Sequence, residues 1–253
     1  MDAFDLSGKT AIVTGGNQGI GFAIARGLAK TGATVIIANR RESEGKMAAE
    51  TLKKEGFNAM AIPTDVSSKS SIASLVSKVV NKFGEIDILV NNAGVIVRKA
   101  VEDITEEEWD RIIDINLKGL FLCCQLVGKE MIKRKKGKII NISSNITQRL
   151  QLNRSVYAAS KAGVSHLTRA LALEWSKYNI NVNAIGPGVT ITDINKKYFE
   201  EHPEELETFV SCIPKGRVGS PEDYVAAALF LASDASDYLV GQTLIMDGGM
   251  SLW

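Results

Sequence analysis

The segment Tyr157-Ala158-Ala159-Ser160-Lys161 sets a phenol and an ammonium four positions apart, a spacing that places both on one face of a helix. A free phenol, with a pKa of about 10, exchanges protons poorly near neutrality. A neighbouring ammonium favours phenolate, and a pKa lowered by ~2–3 units corresponds to about 3–4 kcal/mol. Ser144 lies at the end of a short apolar run, Lys138–Ser143, that reads as a strand. A hydroxyl at the carboxyl edge of such a strand can hydrogen-bond a substrate oxygen as charge develops on it. The chemistry implied is proton exchange with a substrate oxygen. Tyr/Lys pairs at this spacing are also ordinary features of helix surfaces, so the assignment depends on what positions the pair.

A second group of residues begins near the amino terminus. The run Thr10–Thr14 leads into Gly15-Gly16-Asn17-Gln18-Gly19-Ile20-Gly21 and then an amphipathic stretch from Phe22. Glycine at 15 permits a tight turn, and at 19 it lets backbone N–H groups approach a pyrophosphate at the start of a helix. Gly21 allows helix and strand to pack closely. The spacing is G-x-x-x-G-x-G rather than the general G-x-G-x-x-G, and its strand–loop–helix context points to a nucleotide phosphate site. The second strand ends in Ile37-Ala38-Asn39-Arg40-Arg41, where an acid normally holds the adenosine ribose hydroxyls. No acid is present there. A guanidinium at Arg40 suits a 2′-phosphate, so NADP(H) is expected over NAD(H), with NAD(H) still possible and a solvated arginine pair the alternative. Asp65-Val66 is placed to bracket an adenine or to cap the next helix.

Strands and helices alternate through the chain. Candidate strands are Thr10–Thr14, Thr34–Asn39, Asn58–Ile62, Ile86–Asn91, Lys138–Ser143, Asn181–Ile185 and Thr243–Met246. Their near-continuous Val/Ile content fits a parallel sheet covered on both faces. Helices are expected from near Gly19, Glu42, Ser68, Thr105, Ser155, Asp193 and Pro221. Thr105 with Glu108 forms a capping box, and Ser220-Pro221-Glu222-Asp223 is a second good start. The expected fold class is α/β, a Rossmann-type doubly wound sheet of seven parallel strands in a single domain spanning residues 1–253. Residues 190–214 break the rhythm with a polar, acidic segment carrying Tyr198, Phe209 and Phe199. A segment so placed suits a lid over the crevice, or an unremarkable helical excursion.

Composition excludes several classes. The 253 residues hold 30 Lys and Arg against 29 Asp and Glu, so no global field draws the chain to nucleic acid or membrane. The basic run Lys133–Lys136 with Lys138 falls where a helix should end, and cations there complement the helix dipole. Cys123, Cys124 and Cys212 give no disulfide framework and read as small hydrophobes, fitting a reducing, cytoplasmic setting. His166 and His202 lack ligand spacing, so no metal is expected. No apolar run is long enough to span a bilayer.

Taken together, these motifs resemble those of the short-chain dehydrogenase/reductase family from end to end. The points of likeness are Thr14-Gly15 through Gly19-Ile20-Gly21, Asp65-Val66, Asn91-Asn92-Ala93-Gly94, Asn116, Ser144, Tyr157 with Lys161, and Pro187-Gly188 with Thr192. The resemblance implies that Tyr157 is the general acid/base, that Lys161 lowers its pKa and holds the nicotinamide ribose, and that Ser144 orients the substrate oxygen. It implies that Asn116 kinks its helix and holds a water in a relay to Lys161. Cofactor contacts are implied at Gly15, Asn17, Gln18, Gly19, Ile20, Gly21, Asn39, Arg40, Asp65, Val66, Asn92, Ala93, Gly94, Tyr157, Lys161, Pro187, Gly188, Val189 and Thr192. A homotetramer assembled through the two long helices, near 105–135 and 155–178, is implied as well. Leu117, Leu120, Phe121, Leu167, Leu171 and Trp175 would serve that face or the intramolecular core.

Within the family the chain is most similar to the gluconate 5-dehydrogenase and deoxygluconate dehydrogenase group, through Phe4–Lys9 and Asp247–Met250. That group often carries two arginines after the Asn-Asn-Ala-Gly turn. Here the first position is Val97 and the second Arg98. The expected substrate is a small carbonyl or alcohol, best a sugar acid such as gluconate or 5-ketogluconate, with Arg98, Asn145 and Arg154 as candidate contacts. The alternative is a 3-oxoacyl carrier-protein reductase. A cofactor-binding regulator without catalysis would be expected to lack Tyr157, Lys161 or Ser144, and all three are present.

Overall fold

A computed structural model of the chain describes residues 4–192 and 195–252. Seven strands form one sheet: β1 (Thr10–Thr14), β2 (Thr34–Asn39), β3 (Ala59–Pro63), β4 (Ile88–Asn91), β5 (Gly137–Ile142), β6 (Ile180–Pro187) and β7 (Thr243–Met246). Their order is β3-β2-β1-β4-β5-β6-β7, and every pairing is parallel. Alternation along each strand feeds two cores. In β1, Ala11 and Val13 join one cluster while Ile12 joins the other, and all three are buried.

Helices α1 (Gly19–Lys30), α2 (Glu42–Lys54) and α9 (Val225–Ala232) cover the first face, through Ile24, Leu28, Leu52 and Leu231. The second face is covered by α3 (Lys69–Phe83), α5 (Leu120–Arg134) and α6 (Ser155–Trp175), through Ile72, Val127, Val164 and Leu171. The order reverses between β1 and β4, so a crevice opens at the carboxyl ends of those strands. This is the doubly wound architecture expected from the sequence.

Local details follow from residue chemistry. α4 (Glu106–Ile113) starts on the capping box: Glu108 N–H donates to Thr105 Oγ1 at 3.3 Å, and Thr105 N–H donates to Glu108 Oε2 at 3.1 Å. Between α4 and α5 the chain takes one π-helical turn, Asp114–Gly119, in the helix where the family resemblance implied a kink at Asn116. Ser220 N–H donates to the Asp223 carboxylate at 2.7 Å, and a short 3₁₀ turn at Pro221–Tyr224 precedes α9. α5 ends with Lys135 in the left-handed region, φ 53°, and Arg134 turns back onto Glu85 and Asp87. The basic run is thus a helix terminus with its own acidic partners.

Several boundaries differ from expectation. Ile86 and Asp87 are buried but precede the β4 ladder. β6 runs on to Pro187 because Gly186 and Pro187 face Ile245 and Met246 of β7. Leu120 and Leu171 are core, Trp175 packs over Gly128 and Leu117 over Gly163. Phe121 is partly exposed, as are Trp109, Val101 and Leu173. Cys123 and Cys124 are buried, and burial pushes the Cys123 thiol up to about 12. Among the described residues no helix is long and apolar enough to cross a membrane. The segment 190–214, expected as a lid or a helical excursion, carries two short helices, α7 (Lys196–Glu201) and α8 (Pro203–Ser211). Its expected start, near Asp193, lies outside the described residues.

Candidate active site

β5 carries Ser144 to the carboxyl edge of the sheet, where it is buried and its Oγ accepts the Ile146 N–H at 3.2 Å. α6 starts with Arg154 as its N-cap residue and presents Tyr157 and Lys161 on successive turns. Lys161 is 5% exposed, and its ammonium donates to the Ile142 carbonyl, the last of β5, at 2.7 Å. The Lys161 Nζ lies 5.7 Å from the centre of the Tyr157 ring. Ser144, Tyr157 and Lys161 therefore converge, as the sequence implied.

The electrostatics differ from expectation. Burial pushes the Tyr157 phenol up, and a hydrogen bond from Ser144 and the field of Arg154 only offset it. Lys161 is itself desolvated, and its pKa falls from 10.5 to about 8. Burial of the phenol outweighs the cations beside it, so the net shift is upward rather than downward. The cation that does favour phenolate here is Arg154.

Asn116 sits in the π turn, which aims its amide across the crevice. Its Nδ2 donates to Val95 O at 2.9 Å and Ser160 Oγ at 3.1 Å, while its Oδ1 accepts the Val95 N–H at 2.8 Å. Ser160 Oγ in turn donates to the Tyr157 carbonyl at 2.7 Å. Asn116 thus clamps the chain after β4 onto α6. Ser160 was not singled out from sequence, and its only signal was a small polar residue beside Lys161. A methyl placed on Gly94 would lie 3.4 Å from Asn116 Oδ1 and 3.7 Å from Lys161 Nζ, so both polar ends face that backbone.

The glycine loop has the shape a nucleotide phosphate needs. Gly15 and Gly19 adopt φ of 62° and 55°. At Gly21 a Cβ would fall 2.3 Å from Asn92 Nδ2 and 2.4 Å from the Gly15 carbonyl. Asn92 ties loop to sheet, donating to Thr14 O at 3.1 Å and Gly15 O at 3.0 Å, and the Ala93 N–H donates to Thr14 Oγ1 at 3.1 Å. Gln18, the N-cap of α1, offers no side-chain cap, so the first N–H groups of this twelve-residue helix face the crevice without a side-chain acceptor. Asn17 donates to Glu44 Oε2 at 2.9 Å. Ile20 packs against the first core, and Thr192 reaches over the loop, its Cγ2 3.3 Å from a Cβ placed on Gly19.

At the end of β2, Asn39 is buried, with Nδ2 on the Arg41 carbonyl at 2.7 Å and Oδ1 unpartnered. Arg41 pairs with Glu44 at 2.8 Å. Arg40 is exposed, and among the described residues it has no carboxylate within 4 Å. An anion-seeking helix start, a cradle that side chains would fill, and a free guanidinium fit a nicotinamide dinucleotide. Asp65 is occupied locally, accepting from Ser67 N–H at 2.9 Å and Oγ at 2.6 Å, while Ser68 caps α3. Val66 is buried, its carbonyl under Gly119. Pro187 ends β6, the Gly188 N–H bonds Met246 O at 3.0 Å, and Val189 O accepts from Gly219 at 2.8 Å.

Of the candidate substrate contacts, Asn145 is buried and engaged with Asp247 Oδ2 at 3.3 Å and Met250 Sδ at 3.7 Å. It holds the carboxyl-terminal turn. Arg149 does likewise, donating to Met250 O at 2.8 Å. Arg98 and Arg154 instead lie against α7 and α8, over the rings of Tyr198 and Phe209, bulky side chains in an otherwise polar segment.

Comparison with known proteins agrees with this geometry. Residues 15–251 match the family model described as enoyl-(acyl carrier protein) reductase. A 5-keto-D-gluconate 5-reductase of Escherichia coli is 40% identical, over 98% of each chain. An NAD-dependent glycerol dehydrogenase of Listeria innocua is also 40% identical, over 98% of this chain and 96% of its own. The crystal structure of a gluconate 5-dehydrogenase from Burkholderia cenocepacia, in complex with NADP and tartrate, superposes with a TM-score of 0.95 at 36% identity, covering 100% of this chain and 98% of that one. With its sheet order, glycine loop and Ser144–Tyr157–Lys161 grouping, the chain belongs to the short-chain dehydrogenase/reductase family, nicotinamide-dependent oxidoreductases acting on CH–OH groups.

Proposed function

We propose that the protein is an NADP(H)-dependent oxidoreductase that interconverts a ketone and a secondary alcohol on a sugar acid such as 5-ketogluconate and gluconate. The observation that carries this reading is the convergence of the Ser144 hydroxyl, the Tyr157 phenol and the Lys161 ammonium at the end of β5, beside Arg98 and Arg154, which among the described residues have no carboxylate within 4 Å. When bound, the nicotinamide supplies or accepts the hydride. The glycine loop and the start of α1 would hold its pyrophosphate, and Arg40 its 2′-phosphate. Asn17, Gln18, Asn39, Asp65 and the Asn92–Gly94 turn would line the adenosine and ribose side, with Pro187–Val189 and Thr192 at the other end.

Ser144 orients the substrate oxygen by hydrogen bonding. Tyr157 gives a proton to that oxygen in reduction and takes it in oxidation. Burial suits Tyr157 to the reductive direction, because it keeps the phenol protonated at neutral pH. Lys161, anchored on Ile142, positions the ribose and can pass a proton toward the Asn116 end of the crevice. Likeness to the 5-keto-D-gluconate reductase and gluconate 5-dehydrogenase supports the sugar-acid choice. NADP named with the second of these supports the cofactor preference, and NAD named with the glycerol dehydrogenase keeps NAD(H) as the competitor. We take the assembly to be a cytoplasmic homotetramer, with the exposed Phe121, Trp109 and Leu173 at its helical faces.

The test is oxidation of NADPH and NADH with 5-ketogluconate, related keto sugar acids and an acetoacetyl thioester. Turnover of a keto sugar acid with NADPH is expected. Turnover of the thioester alone would move the chain to the acyl reductases. Tyr157→Phe is expected to bind NADPH normally and to lose about 10²–10⁴-fold in kcat.

A further inference from the structure

Most arginines near acidic residues in this protein are neutralised. Arg26, Arg41, Arg134 and Arg217 each contact a carboxylate, and Lys99, next to Arg98, pairs with Glu108 at 2.8 Å. Arg98 and Arg154 are different. Among the described residues neither has a carboxylate within 4 Å. Glu205 accepts from the Tyr198 hydroxyl at 2.6 Å and acts on Arg154 only through its field, without contact. Arg154 is half-buried and donates to Gln151 Oε1.

The two guanidiniums are also mounted rather than free. Arg98 lies over the Tyr198 ring, 4.8 Å from its centroid, and Arg154 over Phe209 at 5.6 Å. The rings belong to α7 and α8, and they are linked through Phe199, whose ring meets Tyr198 at 5.6 Å and Phe209 at 6.1 Å. Burial, and then the field of Arg98, both weaken the hold of Arg154 on its proton, while Tyr157, Glu205 and Tyr198 offset this in part, so the two guanidiniums repel each other. Arg98 is exposed and Arg154 half-buried, one helical turn before Tyr157, and two like charges so placed gain from an anion that joins them. Guanidinium forks match the two oxygens of a carboxylate.

We propose that Arg154, with Arg98 as its second contact, is the residue that selects a carboxylate-bearing substrate, and that the Tyr198 and Phe209 rings hold the pair so that binding the acid also fastens the lid. This rests on the sugar-acid reading above. It adds Arg154 and the two lid rings as specificity determinants. An arriving carboxylate cancels the repulsion between the guanidiniums while both remain stacked on the lid, which makes the closed arrangement the one the acid favours.

Steady-state reduction of 5-ketogluconate at saturating NADPH tests it, together with NADPH binding followed by fluorescence. In Arg154→Gln, KM for the keto acid is expected to rise about 10- to 100-fold, the loss of one charge-assisted contact. Because Arg154 also acts on the Tyr157 phenol, kcat should change as well, but by less than KM rises, and NADPH affinity should not move. Arg154→Lys keeps the charge but not the fork and should recover part of the loss. Phe209→Leu should raise KM several-fold with Arg154 intact. An Arg154→Gln enzyme with KM unchanged, or with only kcat reduced, overturns the inference while leaving the sugar-acid reading intact. A wild-type enzyme that reduces no keto sugar acid overturns both.

Discussion

Lys161 is a charged group held in a site that weakens its charge, and this has a measurable cost. Its pKa falls from 10.5 to about 8, and the cause is desolvation. At about 1.4 kcal/mol per tenfold, that difference is worth ~3 kcal/mol of stability at neutral pH. The folded-state value lies below the unfolded one. Below pH 8 both states carry the proton and the cost is fully present. Between about 8 and 10.5 the unfolded chain binds more protons, so this contribution to stability improves as pH rises, and above 10.5 the cost is gone. Lys161→Met removes the charge and keeps most of the side-chain volume, giving up only the hydrogen bond to the Ile142 carbonyl, worth about 1 kcal/mol. The variant is expected to be inactive yet more stable than wild type by ~2 kcal/mol at pH 7. Urea denaturation at pH 7, 8, 9 and 10, at one protein concentration, measures the difference between the two, in which every other titrating group cancels. The advantage should shrink steadily above pH 8 and reverse near pH 10. A difference that stays flat from pH 7 to 10 would refute the desolvation argument, and a variant less stable at pH 7 than wild type would show that Lys161 serves the fold.

Two further outcomes follow from the cofactor side. Arg40→Asp should lower kcat/KM for NADPH by about 10- to 100-fold and improve the ratio toward NADH, since it replaces a partner of the 2′-phosphate with a group that repels it; an unchanged ratio would remove Arg40 from the site. Gly21→Ala places a methyl 2.3 Å from Asn92 Nδ2, so it should weaken dinucleotide binding measured by calorimetry and lower Tm, whereas unaltered binding would mean that the loop can shift away from Asn92.

Much of this was legible in the residues because it depends on neighbours in sequence. β1 and β2 are short apolar runs between turn-forming residues, and their limits agree with the pattern. The capping box at Thr105 needs only residues three apart. The Tyr157–Lys161 face follows from helical geometry, and Ser144 from the end of a strand. What stayed hidden depends on folding. The π turn differs from α-helix by a shift of hydrogen-bond partner, which no residue type announces. The Arg98–Tyr198 and Arg154–Phe209 pairs join segments far apart in the chain. Asn145 looked available beside Ser144, and only the return of the carboxyl-terminal turn occupies it. The sign of the Tyr157 shift could not be read from a nearby lysine, because burial acts on both groups.

The π turn at Asp114–Gly119 also fixes the phase of everything after it. A single residue advances an α-helix by about 100°, so even winding over this length would set α5 off against α4, and the wide π turn takes up the extra residue instead. Ile112 before the turn and Leu120, Cys123, Cys124 and Val127 after it are all buried, although Ile112 and Leu120 would lie about 80° apart on an even α-helix, and the wide turn closes that gap. Gly119 adds a second constraint, since a Cβ there would come 2.6 Å from the Val66 carbonyl. Segment exchange with relatives through this region can therefore change length by one residue only inside the turn: an even α-helix one residue shorter keeps α5 on the sheet, whereas a residue lost within α5 turns the rest of that helix away.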